Sequence, residues 1–212
     1  MKRFLMRLAV ALSFSLILTG ALYAAETKAG TLTCVGLYSE TDAGYISYRV
    51  GTGAWTVVKV GDVIPAAAEI KIAVDRDWIE VVETGKPTMV YEVTGSASGA
   101  VTKKVADILK SKGRTVAFPK ESKTADPKYK NKLVVTQYLG RQIYRNPSKD
   151  EKDIKYGDVL ESGGRVTIIA INNTITLAND KGAVTTVIGP LKFEVEKVLT
   201  NQSLYKFLNV AK

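Results

Sequence analysis

The feature that most constrains this chain is a repeat. Displaced by 96 positions, residues 44–82 fall on 140–178 without a gap. Gly44, Tyr48, Arg49, Lys59, Gly61, Asp62, Val63, Ile72 and Ile79 then meet Gly140, Tyr144, Arg145, Lys155, Gly157, Asp158, Val159, Ile168 and Ile175. Each copy reads Tyr-Arg, a turn, a Lys-x-Gly-Asp-Val step and an alternating apolar stretch. Self-similarity at a fixed period marks duplicated structural units. Units of about 70 residues lie near the lower size limit for independent stability, which favours packing of one on the other.

Within a copy the periodicity is that of β-structure. Val57-Val58-Lys59-Val60 runs into Gly61-Asp62, a pair suited to a tight turn because glycine accepts positive φ and aspartate bonds back to the backbone. Glu69-Ile70-Lys71-Ile72 alternates polar and apolar side chains, Trp78-Ile79-Glu80-Val81 continues it, and Met89-Val90-Tyr91-Glu92-Val93 resumes after a break at Thr84-Gly85-Lys86-Pro87. The second copy answers with Arg165-Val166-Thr167-Ile168, Thr174-Ile175-Thr176-Leu177, a turn at Asn179-Asp180-Lys181-Gly182, and Val184-Thr185-Thr186-Val187. Short strands with turn signals at this spacing predict a mainly β fold. The expected architecture is two small sandwich- or barrel-like units in tandem, at 26–99 and 133–200. A short helix and basic loop at 100–132 join them, and a short helix at 201–212 follows.

The flanking segments differ in character. Lys2, Arg3 and Arg7 precede an uncharged run from Leu8 to Ala25 that ends in small residues, the pattern of a secretory signal over 1–25 with cleavage after Ala24 or Ala25. An uncleaved anchor is the alternative reading, since about 18 apolar residues suffice to span a bilayer. Ser96 to Gly99 reads as a hinge. Residues 100–112 then read as a helix with Val101, Val105, Ile108 and Leu109 on one face, Ser98 at its start and Gly113 at its end. Arg114 to Lys132, holding Pro119 and Pro127, reads as an exposed loop in which Phe118 and Tyr129 stand isolated. At the far end Leu204, Phe207, Leu208 and Val210 are expected on one helical face, docked on the second unit or presented to a partner.

Composition removes several chemistries. With no histidine, neither a histidine-dependent triad nor a histidine-ligated metal is available, and one cysteine excludes an internal disulfide and a Cys-rich metal centre. No cofactor, metal or catalytic residue is expected. Cys34 reads as a small buried hydrophobe, or else as the half of an intermolecular disulfide. Charge is concentrated in the connector. Of a net +9, the signal accounts for three, and Val101 to Leu133 alone carries +7 through Lys103, Lys104, Lys110, Lys112, Arg114, Lys120, Lys123, Lys128, Lys130 and Lys132 against three acids. Such a segment attracts polyanions in a salt-dependent way, or serves only as a solvated linker. Export makes nucleic acid a poor partner. Tyr48-Arg49 and Tyr144-Arg145 are the other candidate contacts, as recognition residues or as aromatic packing with a covering arginine. Asp75, Asp77 and Glu80 around Trp78 have the residue types of a glycosidase pair, but the second copy has Ile171 and Asn173 in place of the two aspartates. Solvated turn carboxylates are the expectation.

The Gly61-Asp62-Val63 step, the Glu69-Ile70-Lys71-Ile72 strand and the later strand ending near Gly95 resemble the periplasmic FecR-type domain. The second copy repeats the pattern as Gly157-Asp158-Val159-Leu160, Val166-x-Ile168 and Val187-Ile188-Gly189-Pro190. Classical members of that family sit behind a membrane span and relay a signal to a sigma factor. The resemblance implies a β-rich envelope domain that contacts other molecules and is not an enzyme. Function is therefore expected to be binding of an envelope partner, whether protein, glycan or lipid surface and anionic or not, in the periplasm or at the cell surface. A structural subunit of an envelope assembly is the alternative, and an enzyme using carboxylates a third reading.

Overall fold

A computed structural model describes residues 30–39 and 46–200. The expected signal at 1–25 and helix at 201–212 lie outside them. The chain is mainly β, with seventeen short strands and two six-residue helices among these residues.

The first unit consists of β1 (Leu32–Tyr38), β2 (Ile46–Val50), β3 (Thr56–Val57), β4 (Val63–Ile64), β5 (Ala68–Ile72), β6 (Trp78–Glu83), β7 (Lys86–Thr94), β8 (Val101–Lys104) and α1 (Val105–Lys110). A two-residue strand, β9 (Arg114–Thr115), follows. The second unit repeats the order as β10 (Lys132–Leu139), β11 (Gln142–Arg145), β12 (Glu151–Asp153), β13 (Val159–Glu161), β14 (Arg165–Ile168), β15 (Thr174–Ala178), β16 (Val184–Ile188), β17 (Leu191–Glu194) and α2 (Val195–Thr200).

The repeat is a repeat of backbone pairing. Ile46 pairs with Ile72, Tyr48 with Ile70 and Arg49 with Glu69; 96 positions later Gln142 pairs with Ile168, Tyr144 with Val166 and Arg145 with Arg165. The Lys-x-Gly-Asp step forms the same turn twice. The Asp62 carboxylate accepts from Lys59 N at 2.8 Å and the Asp158 carboxylate from Lys155 N at 2.9 Å. Gly61 and Gly157 donate to the carbonyls of Cys34 and Val135, both at 2.8 Å. Both glycines have positive φ, of 94° and 78°, which a side chain would penalise. The motif thus anchors the step between β3 and β4 to β1, and its equivalent to β10.

The two units share one sheet. β1 and β10 pair in parallel, Gly36 with Tyr138 and Leu37 with Leu139, in the middle of a nine-stranded sheet ordered β16-β15-β10-β1-β6-β7-β9, with β4 and β13 attached to β1 and β10. Two four-stranded sheets, β3-β2-β5-β8 and β12-β11-β14-β17, cover it. Register places them on opposite faces, because Ile79, Leu37, Leu139 and Thr174 form one cross-sheet row. Ile79 enters the first core on that side, whereas Ile175, the neighbour of Thr174, enters the second core on the other.

Each interior is apolar and alternating. Leu32, Cys34, Ile70, Ile72, Ile79 and Val81 fill the first, while Leu133, Val135, Tyr144, Val166, Ile168, Ile175 and Leu177 fill the second. Complete burial of such side chains contributes about 1.5–3 kcal/mol each. The second interior also takes Val35, Val82, Val90 and Val116 from the first unit and the connector. The halves therefore do not close separately.

The connector departs from expectation. The helix expected over 100–112 divides into strand β8, paired with β5, and a shorter α1. Ser98 does not cap it; Ser96 and Gly99 close a turn instead, and Lys104 stands at the helix start. Val101, Val105, Ile108 and Leu109 do reach the first core, but from two kinds of element. Helical spacing and a strand leading into a helix place the same residues inward here. Residues 114–132 are also fastened rather than free. β9 pairs with β7, and Ser122 N and Asp126 N donate to the carbonyls of Lys181 and Asp180. Phe118 packs on Tyr156 with centroids 5.1 Å apart, and Tyr129 is buried.

Candidate functional site

Three places are candidates for a functional site: a polar seam between the units, its open counterpart, and a cationic face on the first unit.

The seam begins at Gly36. A Cβ there would lie 2.2 Å from the Tyr138 ring, so the missing side chain is what lets Tyr138 lie across β1 towards β6. Trp78 Nε1 donates to Tyr138 Oη at 2.8 Å. Glu80, 1% exposed, accepts from Arg114 Nη2 at 2.8 Å through one oxygen and from Tyr156 N at 2.8 Å through the other. Arg114 Nη2 also donates to the Tyr156 carbonyl at 2.8 Å. Lys155 Nζ lies 4.0 Å from the Trp78 ring centroid and pairs with Glu92 at 3.1 Å. Burial, followed by the Glu80 carboxylate, pushes the Tyr138 phenol well above its ordinary pKa. A buried carboxylate with both oxygens engaged, one by a cation, holds two surfaces in register.

This corrects the expectation of solvated turn carboxylates. Only Asp75 fits it: it is exposed and accepts from Arg76 N. Asp77 is fully buried and accepts from Ser39 Oγ at 2.7 Å, and Glu80 is the centre of the seam. The reason is register. Asp77 adjoins the start of β6 and Glu80 lies within it, under Lys155 and Tyr156, whose arrival from 76 residues away is invisible locally.

On the opposite face the equivalent positions hold smaller residues. Trp78, Glu80 and Glu92 correspond to Thr174, Thr176 and Thr186, and Lys155-Tyr156 to Lys59-Val60. Among the described residues the surfaces here do not close, and a groove of about 490 Å³ remains between Leu37, Val57, Lys59, Leu139, Thr176 and Thr186. It is chiefly apolar, and of the described residues lining it Lys59 alone is ionisable.

The cationic face is the outer side of β3-β2-β5-β8. Ile46, Ile70 and Ile72 point inward, so the row Arg49, Glu69, Lys104 and the neighbouring Lys71 point outward. Arg49 pairs with Glu69, and its guanidinium stacks 4.5 Å from the Trp55 centroid; Lys71 Nζ lies 5.4 Å from the same ring. Sequence reasoning missed Lys71 and Trp55. The signal was the strand alternation, which sets Lys71 on the same face as Arg49 once β2 and β5 are paired.

The other sequence candidates are dispersed. Lys103 lies on β8, and Lys110 and Lys112 at and just beyond the end of α1. Lys120, Lys123, Lys128 and Lys130 lie along the connector, all exposed. Lys132 pairs with Glu161 at 3.7 Å, and Arg114 is held in the seam. Tyr48 packs on the first core, and Tyr144 is buried with its Oη accepting from Glu161 N at 2.9 Å. Arg145 approaches Glu151 at 4.0 Å. The two tyrosines therefore pack inward, and Arg49 is the one member of the Tyr-Arg pairs set in the cationic face. Cys34 is buried, and burial pushes its thiol far above the ordinary range.

Among the described residues no group of three His, Cys, Asp or Glu side chains is placed to hold a metal ion, and no helix is long and apolar enough to cross a membrane. No family model matches the chain, and no curated protein or solved structure matches it significantly.

Proposed function

We propose that this chain is a non-enzymatic, exported envelope protein with two FecR-like units, whose first unit docks on an anionic envelope component through the outer face of β3-β2-β5-β8. The observation that carries the reading is the grouping of Arg49, Lys71 and Lys104 with Trp55 on one exposed sheet. Arginine stacked on an aromatic ring retains donors for an external carboxylate, sulfate or phosphate. The exposed lysines of α1 and the connector extend the positive field, which steers association in a salt-dependent way. The pattern of residues 1–25 and the FecR-like glycine and strand pattern support the placement in the periplasm or at the cell surface.

The test is retention of the protein on cell-envelope fractions over a salt series. Retention should fall steeply with salt, and the Arg49→Glu/Lys71→Glu variant should lose it by about tenfold, in keeping with about 0.5–1 kcal/mol for each exposed cation. Arg145→Glu should change it little. Equal retention of all three proteins would sink the reading.

A second reading, that the protein is a subunit of an assembly, is favoured by one observation, the uncharged outer edge of β16.

A further inference from the structure

Eight strands have a single partner among the described residues, and seven are short or charged, β4 with two residues and β13 with three ending in Glu161 among them. β3 and β9 have two residues each; β8 carries Lys103 and Lys104, β12 is Glu-Lys-Asp, and β17 carries Lys192 and Glu194. Charges and shortness are the usual guards against unwanted strand addition. β16 has neither. It runs Val184-Thr185-Thr186-Val187-Ile188, five β-branched residues with no charge and no proline. The corresponding edge of the first unit, β7, is covered: β9 pairs with Met89 and Val90, and Val116 N donates to the Thr88 carbonyl. The architecture thus takes a strand at this position, and among the described residues the second unit shows none there.

The hydrogen-bonding phase of β16 follows from its hairpin. Asn179 N donates to the Ala183 carbonyl, and Gly189 N to the Asn173 carbonyl. Positions 183, 185, 187 and 189 therefore face β15, and the backbone groups of Val184, Thr186 and Ile188 point out of the sheet. The side chains of Val184 and Ile188 are also exposed, at 54% and 47%.

We propose that β16 pairs antiparallel with β16 of a second copy of this chain, with Thr186 opposite Thr186 on the two-fold axis. The segment is self-complementary in this register. Val184 meets Ile188 of the second copy, threonine meets threonine, and no like charges oppose each other. The outward groups of the three residues on each strand form six backbone hydrogen bonds. Pro190, which has no N–H, ends the pairing.

The experiment combines light scattering over a concentration series with amide exchange, on the full chain. A dimer is expected, with slow exchange at Val184, Thr186 and Ile188 that is lost on dilution. Thr186→Lys, which opposes two lysines on the axis, should give a monomer at the same concentration, and so should Thr186→Glu. Mixing the two variants should restore a dimer, because the position pairs with itself. Thr186→Cys should crosslink two copies through the introduced thiols, with native Cys34 buried and silent. A monomer at every concentration overturns the proposal. Exposed amides at β16 in such a monomer would mean an open edge; protected ones would mean a strand from the same chain. A dimer indifferent to Thr186→Lys overturns it equally.

Discussion

The two units share backbone and differ in surface, and the difference separates what the fold needs from what each half does with it. Pairing registers, the Gly-Asp turns and the positive-φ turns at Arg76 and Asn172 recur at the same displacement. Outer faces do not. Where the first unit stacks Arg49 and Lys71 on Trp55, the second has Arg145 beside Glu151, and Arg165 pairs with Glu194 at 3.5 Å. Two exchanges, Trp55 against Glu151 and Lys71 against Thr167, remove the excess positive charge of that face. The inter-unit contacts diverge in the same way. A closed polar seam on one side of the sheet answers an open apolar groove on the other, because Trp, Glu and Glu stand where the second copy has three threonines.

The largest test of that contrast is at Glu80. Glu80→Ala leaves the buried Tyr156 N–H without an acceptor and Arg114 without its carboxylate, and should destabilise by about 3 kcal/mol. The equivalent change, Thr176→Ala, removes an exposed hydroxyl contact with Thr186 and should cost about 0.5 kcal/mol or less. Urea denaturation of the two variants measures both, and similar costs would dissolve the distinction between seam and groove. Next comes Gly36→Ala. Its Cβ meets a ring that is itself 1% exposed, so about 2 kcal/mol is expected. Gln137, the equivalent position, already bears a side chain, and Gln137→Ala should be nearly silent in the same assay. The smallest effect is alkaline. The Tyr138 phenol keeps its proton in the folded chain above pH 10, where the unfolded chain gives it up. Stability therefore falls as pH rises beyond about 10, by up to about 1.4 kcal/mol per pH unit for this group. Tyr138→Phe should flatten that limb while lowering stability at neutral pH, because Trp78 loses its acceptor.

Strand alternation and turn chemistry made the duplication and the mainly β class legible. Both are local signals, and both are carried by residues such as Ile70, Ile72, Gly61 and Asp62 whose roles are structural. Helical spacing misread residues 100–104, because an edge strand running into a short helix also places Val101, Val105 and Ile108 inward. The seam was illegible for another reason. Glu80, Arg114, Tyr138 and Tyr156 are joined only by the β1–β10 pairing, and nothing near Glu80 in sequence announces a buried partner. The cationic face was half legible: Arg49 and Lys104 stood out by repetition and by charge density, whereas Trp55 and Lys71 became part of it only through register.

The parallel junction of β1 and β10 has a consequence for biogenesis. β1 pairs early with β4 and β6 but waits about a hundred residues for β10, and contacts so distant in sequence form late. Until β10 is made, a nascent chain carries Val35, Val82 and Val90 with no second core to receive them. A half-synthesised molecule is thus sticky and unfinished, and severing the gene at the connector would yield two fragments in need of each other rather than two modules.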